Sequence, residues 1–123
     1  MRLKHNRVKR FYHRPAIPQK DNEGNSYIAY GPAQALEAEE WPVGGKLQTE
    51  MYGQRLPNIR NLRIQGKFHE ISENGCLRYQ IDGGPSITAG DGVCLNVSPE
   101  REPDYRIIAI YPYHFLTLEV EKR

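Results

Sequence analysis

The side chains of this 123-residue chain that could carry chemistry are four histidines, two cysteines and a run of glutamates. Catalysis or metal binding needs such groups to converge on one point. His5 and His13 lie near the basic N-terminus, His69 and His114 lie beside strand ends, and no H-x-x-x-H spacing occurs. Cys76 and Cys94 have no neighbouring Cys or His at zinc spacing. They are read as a reduced pair, with Cys94 buried in an apolar run. Glu37, Glu39 and Glu40 could meet Glu50 across a hairpin and hold a cation, but a solvated acidic loop is the simpler reading. Asp21-Asn22-Glu23-Gly24-Asn25 looks like the start of a calcium loop, yet Pro32 stands where the closing bidentate glutamate belongs. Gly44-Gly45-Lys46 is not a full phosphate loop, and there is no Gly-x-Ser-x-Gly elbow. The expectation is a protein without catalytic residues, metal or cofactor, and not an enzyme.

The elements that would position these groups are short strands. Residues 7–13 form a first candidate strand, followed by an extended link stiffened by Pro15 and Pro18. Residues 21–25 make a turn, after which Tyr27-Ile28-Ala29-Tyr30 resumes an extended path. Ala33 to Glu39 fits a helix by propensity and a strand by alternation. Lys46 to Tyr52 reads as a strand, with Leu47, Thr49 and Met51 on one face. Leu62 and Ile64 point inward from a further strand, and Asn74-Gly75 favours a tight hairpin turn. Leu77, Tyr79 and Ile81 share a side, as do Val93, Leu95 and Val97. Residues 105–111 and 115–120 are the last two strands. Nine prolines and eleven glycines separate these runs. The fold class expected is mainly β: a small antiparallel barrel with a long projecting loop or β-hairpin and at most one or two short helices. Closure removes exposed strand edges.

One domain, residues 1–123, is the default for this length. Within it, approximately residues 35–63 read as a projecting segment, polar, glycine-bearing and unnecessary for packing. Trp41 stands at its base, either as a half-buried anchor or as an aromatic that enters a neighbouring subunit. Tyr52, Leu56 and Ile59 carry the same two readings.

Net charge is +2, but residues 1–14 hold six basic side chains and no carboxylate. The remainder, eleven basic against fifteen acidic residues, is therefore −4. A basic arm of Arg2, Lys4, Arg7, Lys9 and Arg10 could dock on an acidic partner or simply solubilise the end. No run approaches the ~18 apolar residues of a membrane span. No apolar leader core precedes the domain, so a soluble protein of the producing cell's cytoplasm is expected.

Ala38-Glu39-x-Trp41-Pro42-x-Gly44-Gly45-Lys46-Leu47-Gln48-x-Glu50-Met51-Tyr52-Gly53-x-Arg55-Leu56 is the phrase that carries a family likeness. Pro103-Asp104-Tyr105-x-Ile107-x-Ala109-Ile110-Tyr111 and the end Leu118-Glu119-Val120-Glu121-Lys122-Arg123 add to it. Together they resemble the small head–tail connector, or stopper, proteins of tailed bacteriophages and prophages, especially the version in PBSX-type defective prophages of Bacillus. The resemblance covers nearly the whole chain.

What it implies is a small β-barrel that assembles into a ring beneath the portal and adaptor and helps retain packaged DNA. The projecting, gating residues would be Trp41, Gly44, Gly45, Lys46, Glu50, Tyr52, Gly53 and Arg55. Trp41, Leu56 and Ile59 would form an assembly interface. Expected partners are copies of the chain itself, portal or adaptor proteins, tail-completion or tail-terminator proteins, and packaged double-stranded DNA by steric contact, with no membrane. Assembly would occur in the bacterial host cytoplasm and end in the neck of a phage or defective particle. The alternatives are a tail-terminator or other neck component, and an oligonucleotide-binding barrel that stacks bases on Tyr79, Tyr105 or Tyr111.

Overall fold

The computed structural model describes residues 8–41, 46–73 and 75–123. Its strands are β1 (Val8–Arg14), β2 (Ala16–Lys20), β3 (Ser26–Tyr30), β4 (Gln34–Trp41), β5 (Ile59–Ile64), β6 (Phe68–Glu73), β7 (Cys76–Ile81), β8 (Ser86–Ile87), β9 (Gly92–Cys94), β10 (Tyr105–Pro112) and β11 (Leu116–Lys122). Between β4 and β5 lie helix α1 (Lys46–Tyr52) and a 3-10 helix (Gly53–Asn58). No helix among the described residues is long and apolar enough to cross a membrane.

Six strands close into an antiparallel barrel in the order β1-β4-β5-β11-β10-β9. Alternation explains the closure. Leu36 and Ala38 on β4, Leu62 and Ile64 on β5, and Leu116, Leu118 and Val120 on β11 all turn into one core. The core also takes Tyr79, Ile81 and Ile87 from a three-stranded sheet, β6-β7-β8, which packs against the barrel. Burial of these apolar faces, at roughly 25 cal/mol per Å2, is the main source of stability.

Two strands depart from simple alternation, each for a visible reason. In β10 the register against β11 shifts between Ile107 and Ala109. This bulge inserts one residue, so Ile107 and Ile110 both serve the core while Tyr111 moves to the outer face. Strand β9 stops at Cys94 although the apolar alternation runs on to Val97. The Asp104 carboxylate accepts hydrogen bonds from the Leu95 and Asn96 amides at 2.8 and 3.0 Å, which diverts the chain from the ladder. Gly92, which opens β9, is required where the strand packs against Pro103. A Cβ there would lie 2.3 Å from Pro103 Cγ.

The segment Ala33–Glu39, open between helix and strand by sequence, is a strand, because it pairs with β1 on one side and β5 on the other. The strand expected at residues 46–52 is instead a helix. Lys, Leu, Gln, Glu and Met are strong helix formers, and seven residues fit period two and period 3.6 almost equally well. Gln48, Tyr52 and Leu56 are the half-buried positions, spaced as one helical stripe, whereas Met51 is 53% exposed.

Candidate assembly surface

Two appendages leave the barrel. The first is a ribbon of β2 and β3, inserted between barrel strands β1 and β4 and forming its own two-stranded sheet. Its turn is organised by Asp21, whose Oδ1 accepts from the Glu23 and Asn25 amides at 2.9 and 2.8 Å. The Asn25 amide, first among several donors, holds the Asp21 carboxyl below the usual carboxylate range. The resemblance of this stretch to a calcium loop thus comes down to an Asx turn. Pro18 is tolerated because β2 has a partner on one side alone. Ile17, Tyr27 and Ile28 are exposed on this ribbon.

The ribbon's base is fixed firmly. Arg14 Nε donates to Gly31 O at 2.8 Å, and its two other nitrogens donate to Tyr30 O and Arg101 O. Gly31 allows that approach, since a Cβ would lie 2.8 Å from Pro15 Cγ. Below the base sits a buried pair. His13 Nε2 lies 2.7 Å from Asp91 Oδ2, and both side chains are almost fully buried. Asp91 also accepts from the Ala16 and Thr88 amides at 3.0 and 3.1 Å. An ionised Asp91 makes Nε2 the donating nitrogen, and His13 Nδ1 has no hydrogen-bond partner.

An aspartate–histidine pair is the orienting half of many nucleophilic sites. The nearby Ser86 hydroxyl, however, accepts from Arg78 Nε at 2.7 Å. The pair's visible work is mechanical: it ties β1, the start of β2 and the β8–β9 turn together. Sequence offered no route to it, because 78 positions separate its members. Among the described residues no group of three or more His, Cys, Asp or Glu is placed to hold a metal.

The second appendage is the helical strap, residues 46–58, lying on the barrel's outer wall. Its attachments are polar. Gln48 and Asn61 exchange side-chain amide hydrogen bonds at 2.8 and 3.3 Å. The Tyr52 hydroxyl hydrogen-bonds to Glu119, which also receives Tyr111. Burial and then the Glu119 carboxylate hold the Tyr52 phenol well above its usual range. The Tyr111 phenol is pushed up to about 12, first by its hydrogen bond to Glu119 and then by burial. Both hydroxyls are therefore donors at neutral pH. Arg55 grips Glu121 with two nitrogens at 2.7 and 2.8 Å, and Arg106 approaches the same carboxylate at 3.5 Å.

Hydrogen bonding from Arg55, the largest cause, lowers the Glu121 carboxyl below its usual value. The sign follows for a depressed acid. Its contribution to holding the strap is complete above the ordinary carboxylate value and is lost as pH falls through the lowered one. Carboxyl NMR is expected to place the Glu121 midpoint below that of an ordinary glutamate, and Arg55→Met is expected to raise it. A midpoint at or above the ordinary value would contradict the contact in solution.

These placements revise the projecting segment. Residues 35–41 and 59–63 are barrel strands, so among the described residues the excursion is confined to 46–58. Gly44 and Gly45 fall outside the described residues, as do Arg2, Lys4 and Arg7. Lys46 begins α1. Glu50 is exposed and Leu56 half-buried. Gly53 has φ +52 and makes the corner between α1 and the 3-10 helix. Trp41 ends β4 half-buried, with the Arg63 guanidinium 4.0 Å over its ring. Ile59 is removed from any exposed interface, since it is 0% exposed. It shares the outward parity of Asn61 and Arg63 and is absent from the barrel's core, so it is buried on the outer wall. Lys9 and Arg10 belong to β1, opposite Ala38 and Glu37, and Arg10 lies 3.7 Å from Glu37. The basic arm is thus a barrel stave from residue 8 onward.

Of the three tyrosines named for base stacking, two are buried and one is half-buried. Tyr79 and Tyr105 are 7% and 4% exposed and belong to the core, and Tyr111 is engaged with Glu119. Both cysteines are free, Cys76 exposed and Cys94 buried, with burial raising the Cys94 thiol. Compared with protein-family models, curated proteins and solved structures, the chain matches none of them.

Proposed function

We propose that this chain is a non-enzymatic subunit of the head–tail joining ring of a tailed phage or defective prophage, in the stopper position between portal or adaptor and tail. The observation that supports the reading best is the division of labour in the fold. The barrel and the β6-β7-β8 sheet share one core, while the β1–β4 and β4–β5 connections contribute none of its described residues. A ring subunit requires such a body, because its walls must stay rigid while its connections meet neighbours. The ribbon adds exposed Ile17, Tyr27 and Ile28 on an anchored base, a form suited to reaching another subunit. In this reading the ring's copies face portal or adaptor proteins on one side and tail-completion proteins on the other. DNA is retained by steric obstruction rather than by a basic, phosphate-binding lumen. Assembly proceeds in the host cytoplasm, and the product is the particle neck.

The test is a density map of intact necks from the particle that encodes this chain. Residues 8–123 are expected to fit a ring directly below the portal or adaptor, with the ribbon or residues 42–58 at subunit contacts. A fit at the tail end of the neck would make the chain a tail-terminator instead. Absence of the chain from purified necks would overturn the proposal.

A further inference from the structure

The strap differs from the rest of the chain in how it is held. Among its residues of described burial, 48–58, none is buried, and the half-buried ones are Gln48, Tyr52 and Leu56. Seven residues of α-helix do not stand alone in water, so the strap depends on the wall beneath it. Its contacts with the wall include an amide pair, a phenol–carboxylate bond and a two-nitrogen arginine grip. Beneath them the barrel is complete, with β5 and β11 paired along Ile59–Arg63 and Thr117–Glu121. The wall also holds something that a permanent lid would not need. Glu119 is 4% exposed, yet its Oε2 has no hydrogen-bond partner. A buried carboxylate oxygen left unpaired costs free energy in the docked state and regains water when the cover lifts.

We propose that residues 48–58 form a releasable cover, which leaves the barrel wall as a unit while the barrel stays folded and uncovers Ile59 with the Glu119–Tyr111 pair. Register places Ile59 opposite Glu121 and Asn61 opposite Glu119. The three outer residues gripped by the strap, Asn61, Glu119 and Glu121, therefore surround the outward Ile59. The charged and titratable groups at this contact are Tyr52 and Arg55 from the strap, Glu119 and Glu121 from β11, and Arg106 and Tyr111 from β10. Release gives up the Gln48–Asn61 amide pair, the Tyr52–Glu119 contact, the Arg55 grip and the cover over Ile59, and in return hydrates two carboxylates. Local openings of this kind need only a fraction of the global unfolding free energy. Use of the uncovered wall by a neighbour rests on the assembly reading; release itself is a property of the isolated chain.

Amide hydrogen exchange on the full-length isolated chain tests it. In the unaltered chain, amides of residues 48–58 are expected to exchange faster than those of β5 and β11. In a Tyr52→Phe, Arg55→Met chain they are expected to exchange about tenfold faster again, the loss of hydrogen bonds to a charged group, with β5 and β11 unchanged. Acceleration of strap and strands by one common factor would make the strap part of the barrel's cooperative unit and overturn the proposal. So would strap rates that equal those of the strands in the unaltered chain, or that do not respond to the substitutions. Neither result bears on whether the chain occupies a phage neck, which the density map decides separately.

Discussion

An Asp91→Ala chain is expected to be less stable than the parent by about 3–5 kcal/mol, since each of several buried donors left unpaired costs about 1–3 kcal/mol. Asp91 is 1% exposed and serves three donors: the His13 ring and the Ala16 and Thr88 amides. Arg78 lies 3.6 Å from the same carboxylate. Alanine removes every acceptor at once and leaves those groups without water to replace it, which is costlier than the loss of the bonds themselves. Total stability of a domain this size is about 5–15 kcal/mol, so the variant stands near the edge of folding. Urea unfolding measures it, and a His13→Ala chain with the His13→Ala, Asp91→Ala double chain completes the cycle. Coupling between the two sites of about 0.5–3 kcal/mol is expected for side chains in direct contact. A single-variant loss below about 1 kcal/mol would show that the pair does not hold the ribbon's base to the barrel.

That hub illustrates what the sequence conceals. The barrel was legible because alternation is local: Leu62 and Ile64, or Leu116, Leu118 and Val120, declare a buried face within a few residues. Partners distant in sequence have no such signature. His13 and Asp91 lie 78 positions apart, and only the topology that brings β1 beside β9 unites them. The strap was misread for a different reason. Its stripe of Gln48, Tyr52 and Leu56 is mostly polar, so the apolar period that normally announces a helix is missing. Glu119 and Glu121 offered a signal that could have been used. They alternate with the core residues Leu118 and Val120, which places them on the outward side; only the structure shows that Glu119 is covered there. Tyr111 gave none, because the bulge at residues 107–109 reverses its facing and no residue type there demands a bulge. The ribbon was half-visible: the turn at 21–25 was evident, but Pro18 made β2 look like a link.

The sharpest separation of body from cover comes from two leucines given the same substitution. Leu118→Ala is expected to cost about 2–5 kcal/mol, as large-to-small changes in packed cores do. Leu118 is 0% exposed, sits opposite Leu62 on one side and Ile110 on the other, and alanine would leave a cavity that two hydrogen-bonded neighbours cannot close. Leu56→Ala removes the same atoms from a half-buried position on the strap and is expected to change global stability by less than about 1 kcal/mol. Urea midpoints at constant slope measure both. The unequal costs follow from one physical difference: Leu118 lies in an apolar core shared by the barrel strands and the β6-β7-β8 sheet, whereas Leu56 is half-buried on a strap attached through side-chain hydrogen bonds. Equal losses at the two positions would mean that the strap belongs to the core. A ring subunit built on this chain would then have no covering element free to move without unfolding its wall.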